Sequence, residues 1–501
     1  MSATLVLLLA ATACNGGDDQ AAAKPAPQPP PAGAAPGLDA FYKQQASWKG
    51  CGSGFQCGTV QVPLDYDKPN GDKLKLSLIR LPTENKSRRI GSLFTNPGGP
   101  GGSGVEFLRQ AGRSFGQDVR ERFDIIGFDP RGVGASDPIR CLDGPRLDRY
   151  FSADSSPDDQ REVDAYAAES KAFSDACKTR AAARLPFVGT ANAARDIDVL
   201  RAAVGDTKLS YFGASYGTYL GAHYAEQFPK NVRALVLDGA VDPRQSSTQI
   251  LIEQAKGFET AFRAFAADCV KGVGCPLGTS VQGATDKVAA LLKKADQTPL
   301  TNSRDSRKVT ESWAATGIAA ALYAKEGWPV LRQALTQAMQ RGDGTLLISL
   351  ADTMVERKPD GTYSNQAEAN MAVNCVDKPN PPDVPSYEKS AQKATKDSPR
   401  FGPFVVWGGL PCVTWPVQTK EKPGALTAKG AAPILVIGTL RDPATPYKWA
   451  QSLSSQLDSG VLLTLDGDGH TAYLQSNPCI TEATDHYLLT AQPPKPGTVC
   501  R

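Results

Sequence analysis

The sequence predicts an α/β fold in which a mostly parallel sheet, covered by helices on both faces, is interrupted by a large helical cap insertion. Three observations predict it. Six short apolar runs (90–94, 123–128, 209–212, 233–239, 433–439 and 461–465) are separated by helical stretches rather than tight turns. Parallel strands need such crossovers, and strands buried on both faces read as continuous apolar runs. Ahead of them, 57–66 and 73–81 alternate apolar and polar residues around Pro69, Asn70 and Gly71, which marks an antiparallel hairpin. Finally, almost 200 residues of long helical pattern lie between Asp238 and Pro433.

Taken from the N-terminus, "MSATLVLLLAATAC" is an apolar stretch too short to span a bilayer, ending in small residues before Cys14. It resembles a bacterial lipoprotein signal at 1–13, with Cys14 the acylated residue, although no Lys or Arg precedes the run and Ala11 stands where Leu is usual. An ordinary secretory signal is the alternative. Residues 14–47, rich in Pro, Ala and Gly, cannot bury enough apolar surface to fold and are expected to be a tether. The sheet-bearing core is expected over 48–243, with a small insertion at 139–187 and a crossover helix at 191–205 ended by glycine. A helical cap is expected over 244–428, and the core resumes over 429–501.

Composition excludes several functions. With 55 basic and 52 acidic residues the net charge is +3, which supplies no field for nucleic acid. Three histidines and the lack of a C-x-x-C pair argue against zinc, and neither a metal nor a cofactor is expected. Of 11 cysteines, Cys14 aside, ten remain in a chain that carries an export signal, so up to five disulfides are expected. Sequence proximity pairs Cys51 with Cys57, Cys141 with Cys177, Cys269 with Cys275, Cys375 with Cys412 and Cys479 with Cys500.

The chemistry starts at "YFGASYGTYL" (211–220), where Ser215 sits between glycines after a predicted strand and before a predicted helix. That context, more than the G-x-S-x-G pattern itself, marks a nucleophile on a sharp turn. "NPGGPGGSG" (96–104) follows a strand, and its glycines let main-chain amides converge on an oxyanion. A phosphate cradle lacks the Lys-Ser/Thr it would need. Asp442 and His470 follow the seventh and eighth predicted strands, the places of acid and base in an α/β-hydrolase. His223 lies inside a helix and His486 in the last one, so His470, in a glycine-rich loop, is the base. Asp466 and Asp468 read as turn formers. The oxyanion would then face the amide of Tyr216 and one from Gly98 or Gly99.

Together "NPGGPGGSG", "GFDPRGVGASDP", "GASYGTYLG", "RDPATP" and "GDGHT" resemble the secreted tripeptidyl aminopeptidases and their lipoprotein-like relatives, α/β-hydrolases akin to proline iminopeptidases. The resemblance runs from about Trp48 to the C-terminus and includes "PCVTWP" (411–416). It implies a serine exopeptidase that releases tripeptides or other short peptides from peptides or small proteins with a free N-terminus. A carboxylesterase with the same triad is the alternative, because fold and triad do not fix the acyl substrate. Proline iminopeptidases carry His before the Gly-Gly-Pro-Gly run; Pro97 stands there, which argues against single-proline specificity. A cap over the cleft would select chain ends, and a desolvated α-amine needs an opposite charge, for which Asp377 and Glu368 are the candidates. The enzyme is thus expected at the cell surface or secreted, touching membrane only through the lipid on Cys14.

Overall fold

A computed structural model of the chain describes residue 30 and residues 36–419, 422–475 and 477–501. Cys14 and the expected signal lie outside them, but the end of the expected tether does not: Asp39–Tyr42 is a helical turn whose Phe41 and Tyr42 are buried in the core, Tyr42 donating its hydroxyl to Asp198. Ten strands form one sheet: β1 (Lys49–Gly50), β2 (Gln56–Pro63), β3 (Lys73–Leu81), β4 (Gly91–Asn96), β5 (Phe123–Phe128), β6 (Leu209–Ala214), β7 (Val232–Asp238), β8 (Ile434–Arg441), β9 (Gly460–Asp468) and β10 (Val499–Cys500). Their order is β1-β2-β3-β5-β4-β6-β7-β8-β9-β10. β2 and β3 form the antiparallel hairpin, β3 pairs antiparallel with β5, and every pairing from β5 through β4, β6, β7, β8 and β9 to β10 is parallel. This is the α/β-hydrolase fold.

Alternation along the strands builds two cores. Leu235 and Leu237 of β7 and Ile434 and Val436 of β8 face one helical layer, while Ala234, Val236, Leu435 and Ile437 face the other. The first layer holds helices Thr190–Ala203 and Tyr216–Gln227; the second holds Gly104–Ala111, Gln117–Arg122 and Pro478–Thr490. Each buried Leu, Ile or Val among them contributes about 1.5–3 kcal/mol, which fixes the register of the central strands.

The chain between β7 and β8 folds into helices, the longest Ser247–Cys269, around its own core of Phe262, Phe265, Trp313, Ile318 and Leu335. Helices Gly144–Ser152 and Gln160–Ala181 pack on this cap: Phe151 lies against Trp313, and Tyr166 stands edge-on to Trp407. All five cysteine pairs named from proximity are disulfide-bonded. Asp466 and Asp468, expected in a turn, belong instead to β9, whose ladder with β8 continues past an irregularity to pair Asp468 with Arg441; both carboxylates also accept from the Arg441 guanidinium.

Candidate active site

Four parallel strands in adjacent positions, β6, β7, β8 and β9, deliver their carboxyl ends to one edge of the sheet. Ser215 follows β6, Asp238 ends β7, Asp442 follows β8 and His470 follows β9. This edge is where open α/β sheets place ligands.

Ser215 stands between β6 and helix Tyr216–Gln227 at φ 55° and ψ −123°, a conformation that costs a non-glycine residue about 1–3 kcal/mol. The turn is held from outside: Ser215 N–H donates to Asp238 O at 2.8 Å, and Thr218 Oγ1 donates to Ser215 O at 2.6 Å. Glycine is required beneath it, since a Cβ on Gly213 would lie 2.3 Å from Gly217 O. The facing loop comes equally close. Gly98, at φ +95°, would place a Cβ 2.5 Å from Ala214 O and 3.0 Å from the Tyr216 amide nitrogen. Its own amide donates to Asn96 Oδ1 at 3.0 Å. Gly98 therefore shapes the oxyanion side without offering its N–H, which leaves the amides of Gly99 and Tyr216 as the candidate pair of donors.

Asp442 is 2% exposed and saturated with donors: Ala444 N at 2.9 Å, Thr445 N at 2.8 Å, Thr445 Oγ1 at 3.0 Å and Thr471 N at 3.2 Å. Its oxygens lie 2.9 and 3.0 Å from His470 Nδ1. With Nδ1–H donating there, the lone pair of the imidazole is on Nε2. Burial opposes a charged imidazole, but Asp442 beside it and Asp238 behind it outweigh burial and hold His470 above the ordinary histidine value. The arrangement can take a proton from a hydroxyl and stabilise the resulting imidazolium.

The cap reaches three of these elements. Tyr323 O accepts His470 N–H at 2.7 Å, and the Tyr323 ring stands edge-on to the imidazole. Helix Ser247–Cys269 presses on the acid loop, with Gly257 so near that a Cβ would fall 2.5 Å from Pro443 O. Helix Gln366–Asp377 touches the oxyanion loop, where Asn370 Nδ2 donates to Pro100 O at 3.0 Å.

The two carboxylates expected to meet a substrate amine lie on that last helix. Glu368 is 1% exposed; its Oε1 accepts the amides of Cys141 and Leu142. It anchors the loop after β5 and is too enclosed to meet a substrate, contrary to the expectation. Asp377 is half-buried and accepts from Thr190 N at 2.7 Å and Thr190 Oγ1 at 2.5 Å, the latter also bonded to the Tyr216 hydroxyl. His223 packs edge-on to Tyr219, and burial together with Lys378 pushes it down to about 4, so it stays neutral. His486 is exposed.

Thr445, Asp238 and Tyr323 were not singled out by the sequence. Asp238 left a signal there as a charge at the end of the buried run "RALVLDG", and Thr445 lies inside "RDPATP"; Tyr323 left none. The "GFDPRGVGASDP" motif is architectural. Asp129 accepts from Ser103 Oγ and from the amides of Val105 and Ala135, fixing the loop beyond the oxyanion glycines, and Arg131 is buried on Asp196 at 2.6 Å.

Comparison with known proteins agrees with this architecture. A family model described as "TAP-like protein" matches residues 398–500. The serine protease Hip1 of Mycobacterium tuberculosis is 40% identical over 480 residues, 91% of each chain. Carboxylesterase B of the same species is 37% identical over 489 residues, covering 94% of this chain and 92% of that one. The tripeptidyl aminopeptidase of Streptomyces lividans is 32% identical over 467 residues, 90% of this chain and 86% of its own. Identity of this extent across nearly whole chains places the protein in one family with Hip1 and the Streptomyces enzyme: it is a serine hydrolase of the TAP-like α/β-hydrolases.

Proposed function

We propose that the protein is an exported aminopeptidase that releases tripeptides or other short peptides from free N-termini through an acyl-enzyme on Ser215. The observation that carries this is the His470–Asp442 pair at 2.9 Å, set on the same sheet edge as the Ser215 turn. Ser215 would attack the scissile carbonyl while His470 Nε2 takes its proton, and the amides of Gly99 and Tyr216 would receive the oxyanion. His470 then returns the proton to the leaving amine, and water releases the acyl group by the same route.

Exopeptidase specificity is supported by the cap that closes on His470 and by the name of the Streptomyces relative. Asp377, one hydroxyl removed from the Tyr216 side chain, is the candidate partner of the α-amine. Five disulfides support an oxidising compartment. No helix among the described residues is long and apolar enough to cross a membrane. The proposed attachment is through a lipid at Cys14. Loss of membrane association in Cys14→Ser is the check.

The relative named carboxylesterase B favours a second reading, acyl transfer from esters. The deciding experiment compares a tripeptide chromogenic amide, its N-acetylated form and a panel of short acyl esters. Strong preference for the free tripeptide is expected, weakened in Asp377→Asn; equal turnover of free and blocked substrates excludes amine recognition.

A further inference from the structure

We propose that Asp238 is a positioning residue that holds nucleophile and base in register, by clamping the strained corner from which His470 is aimed. This rests on the triad assignment made above. Asp238 ends β7 between the two strands that carry Ser215 and Asp442, paired with Ala214 on one side and Ile437 on the other. It is 1% exposed. Its carbonyl accepts Ser215 N–H at 2.8 Å. Its carboxylate accepts from the chain just beyond the base: Oδ1 from Ala472 N at 3.0 Å, Oδ2 from Ala472 N at 2.9 Å and from Tyr473 N at 2.8 Å.

The corner needs such a clamp. Thr471, next to His470, has φ +67°, a left-handed conformation that is a true outlier for a β-branched residue. Such strain persists only where its surroundings over-determine it. Two carboxylates do so here. Asp442 Oδ2 takes Thr471 N–H at 3.2 Å and also holds the imidazole, while Asp238 takes the next two amides. Thr439 Oγ1 donates to Thr471 O at 3.1 Å from β8. The corner also fits closely over β7, since a Cβ on Gly239 would lie 3.1 Å from Thr471 Cγ2 and 3.3 Å from His470 Cε1. Releasing Asp238 lets Thr471 relax toward negative φ, which swings His470 off the line to Ser215. The buried carboxyl is itself pushed up to about 6, chiefly by desolvation and against the pull of its two amide donors and His470.

The test uses Asp238→Asn, Thr471→Gly and their combination. An asparagine oxygen can replace only part of the carboxylate's acceptor capacity, and its NH2 meets amide donors. Asp238→Asn is expected to lower kcat by about 10²-fold with KM changed little, the cost of misplacing a reacting group by about 1 Å. Glycine is at ease at φ +67°, and the Thr471 hydrogen bonds named above are main-chain ones, so Thr471→Gly keeps them. In that background the asparagine should cost less than about 10-fold, the non-additivity of residues sharing one element. The charged or titratable groups facing His470 are Asp442 from the β8 loop, Asp238 from β7 and the Tyr323 ring from the cap. Removing one of the two negative charges should therefore also move the acid limb of kcat/KM to lower pH, which a purely structural role would not do.

Equal losses in both backgrounds, full activity in Asp238→Asn, or an unmoved acid limb would each overturn the proposal. If Asp238→Asn does not fold alone, the double variant is compared with Thr471→Gly; collapse of both assigns Asp238 to the fold's core and overturns it too. Ser215→Ala and fluorophosphonate labelling report on the triad separately. Turnover surviving there would sink the triad instead.

Discussion

The main-chain carbonyl of Tyr323, just past the end of a cap helix, accepts the amide of His470 at 2.7 Å, and the two rings meet edge-on with centroids 5.1 Å apart. The cap thus touches the base directly, through both main chain and ring. Because the hydrogen bond is main-chain and the ring contact is apolar, Tyr323→Phe should retain nearly full activity. Tyr323→Ala should lower kcat by about 10-fold, since the imidazole loses packing worth about 0.5–1.5 kcal/mol and gains solvent. Steady-state kinetics on the tripeptide substrate checks this, and equal rates for alanine and phenylalanine would separate the cap from the base.

Ser215→Ala should abolish turnover of amides and esters alike, by about 10⁵-fold or more, because the remaining groups have nothing to activate. Stability should change by less than about 1 kcal/mol, as the main-chain bonds to Asp238 and Thr218 that hold the turn are kept. Labelling by a fluorophosphonate should vanish while the thermal midpoint stays. Residual turnover of both substrate types would move the nucleophile elsewhere.

The pH profile follows from His470. Its imidazole must be neutral to accept the serine proton, and the nearby carboxylates hold it above the ordinary histidine value, so the acid limb of kcat/KM should lie above about 6.5. Removing the partner acts in the opposite direction: Asp442→Asn withdraws the largest favourable charge, so the limb should drop to lower pH. It should also cost roughly 10⁴-fold in kcat, because an amide can stabilise the wrong tautomer. A limb that stays in place in Asp442→Asn would mean that another group governs it.

How much of this was legible follows the range of each interaction. The buried strands were readable because apolar runs and their alternation are local, and so were the strand-end positions of Ser215, Asp442 and His470, because each follows such a run. Glu368 was misjudged because its partners, the amides of Cys141 and Leu142, lie 227 and 226 residues away, and no local pattern announces such a bond. Gly98 was half understood. Its flexibility could be read, but the bond from its amide to Asn96 depends on the turn of the loop. Asp466 and Asp468 were assigned to a turn from residue type, which Arg441 on the neighbouring strand overrides. Tyr323 reaches His470 only through a tertiary contact across 147 positions, which periodicity cannot see.

The disulfides allow a last prediction, in which stability and activity should separate. Cys375–Cys412 spans 37 residues and fixes helix Gln366–Asp377, whose Asn370 holds Pro100 of the oxyanion loop. Cys51–Cys57 spans only 6 residues at the far edge of the sheet, joining the residue just after β1 to β2. Loop-closure entropy grows with span, so replacing both cysteines of the long pair by serine should cost about 4 kcal/mol and of the short pair only about 2.5 kcal/mol. The long pair should also lower kcat, because its helix would no longer press Asn370 against the oxyanion loop, whereas loss of the short pair should leave kcat unchanged. Denaturant midpoints and turnover of the two double-serine variants, measured at a temperature where both stay folded, test the two claims together. Equal kcat in the two variants would show that the helix does not support the oxyanion side, even if the order of stabilities holds.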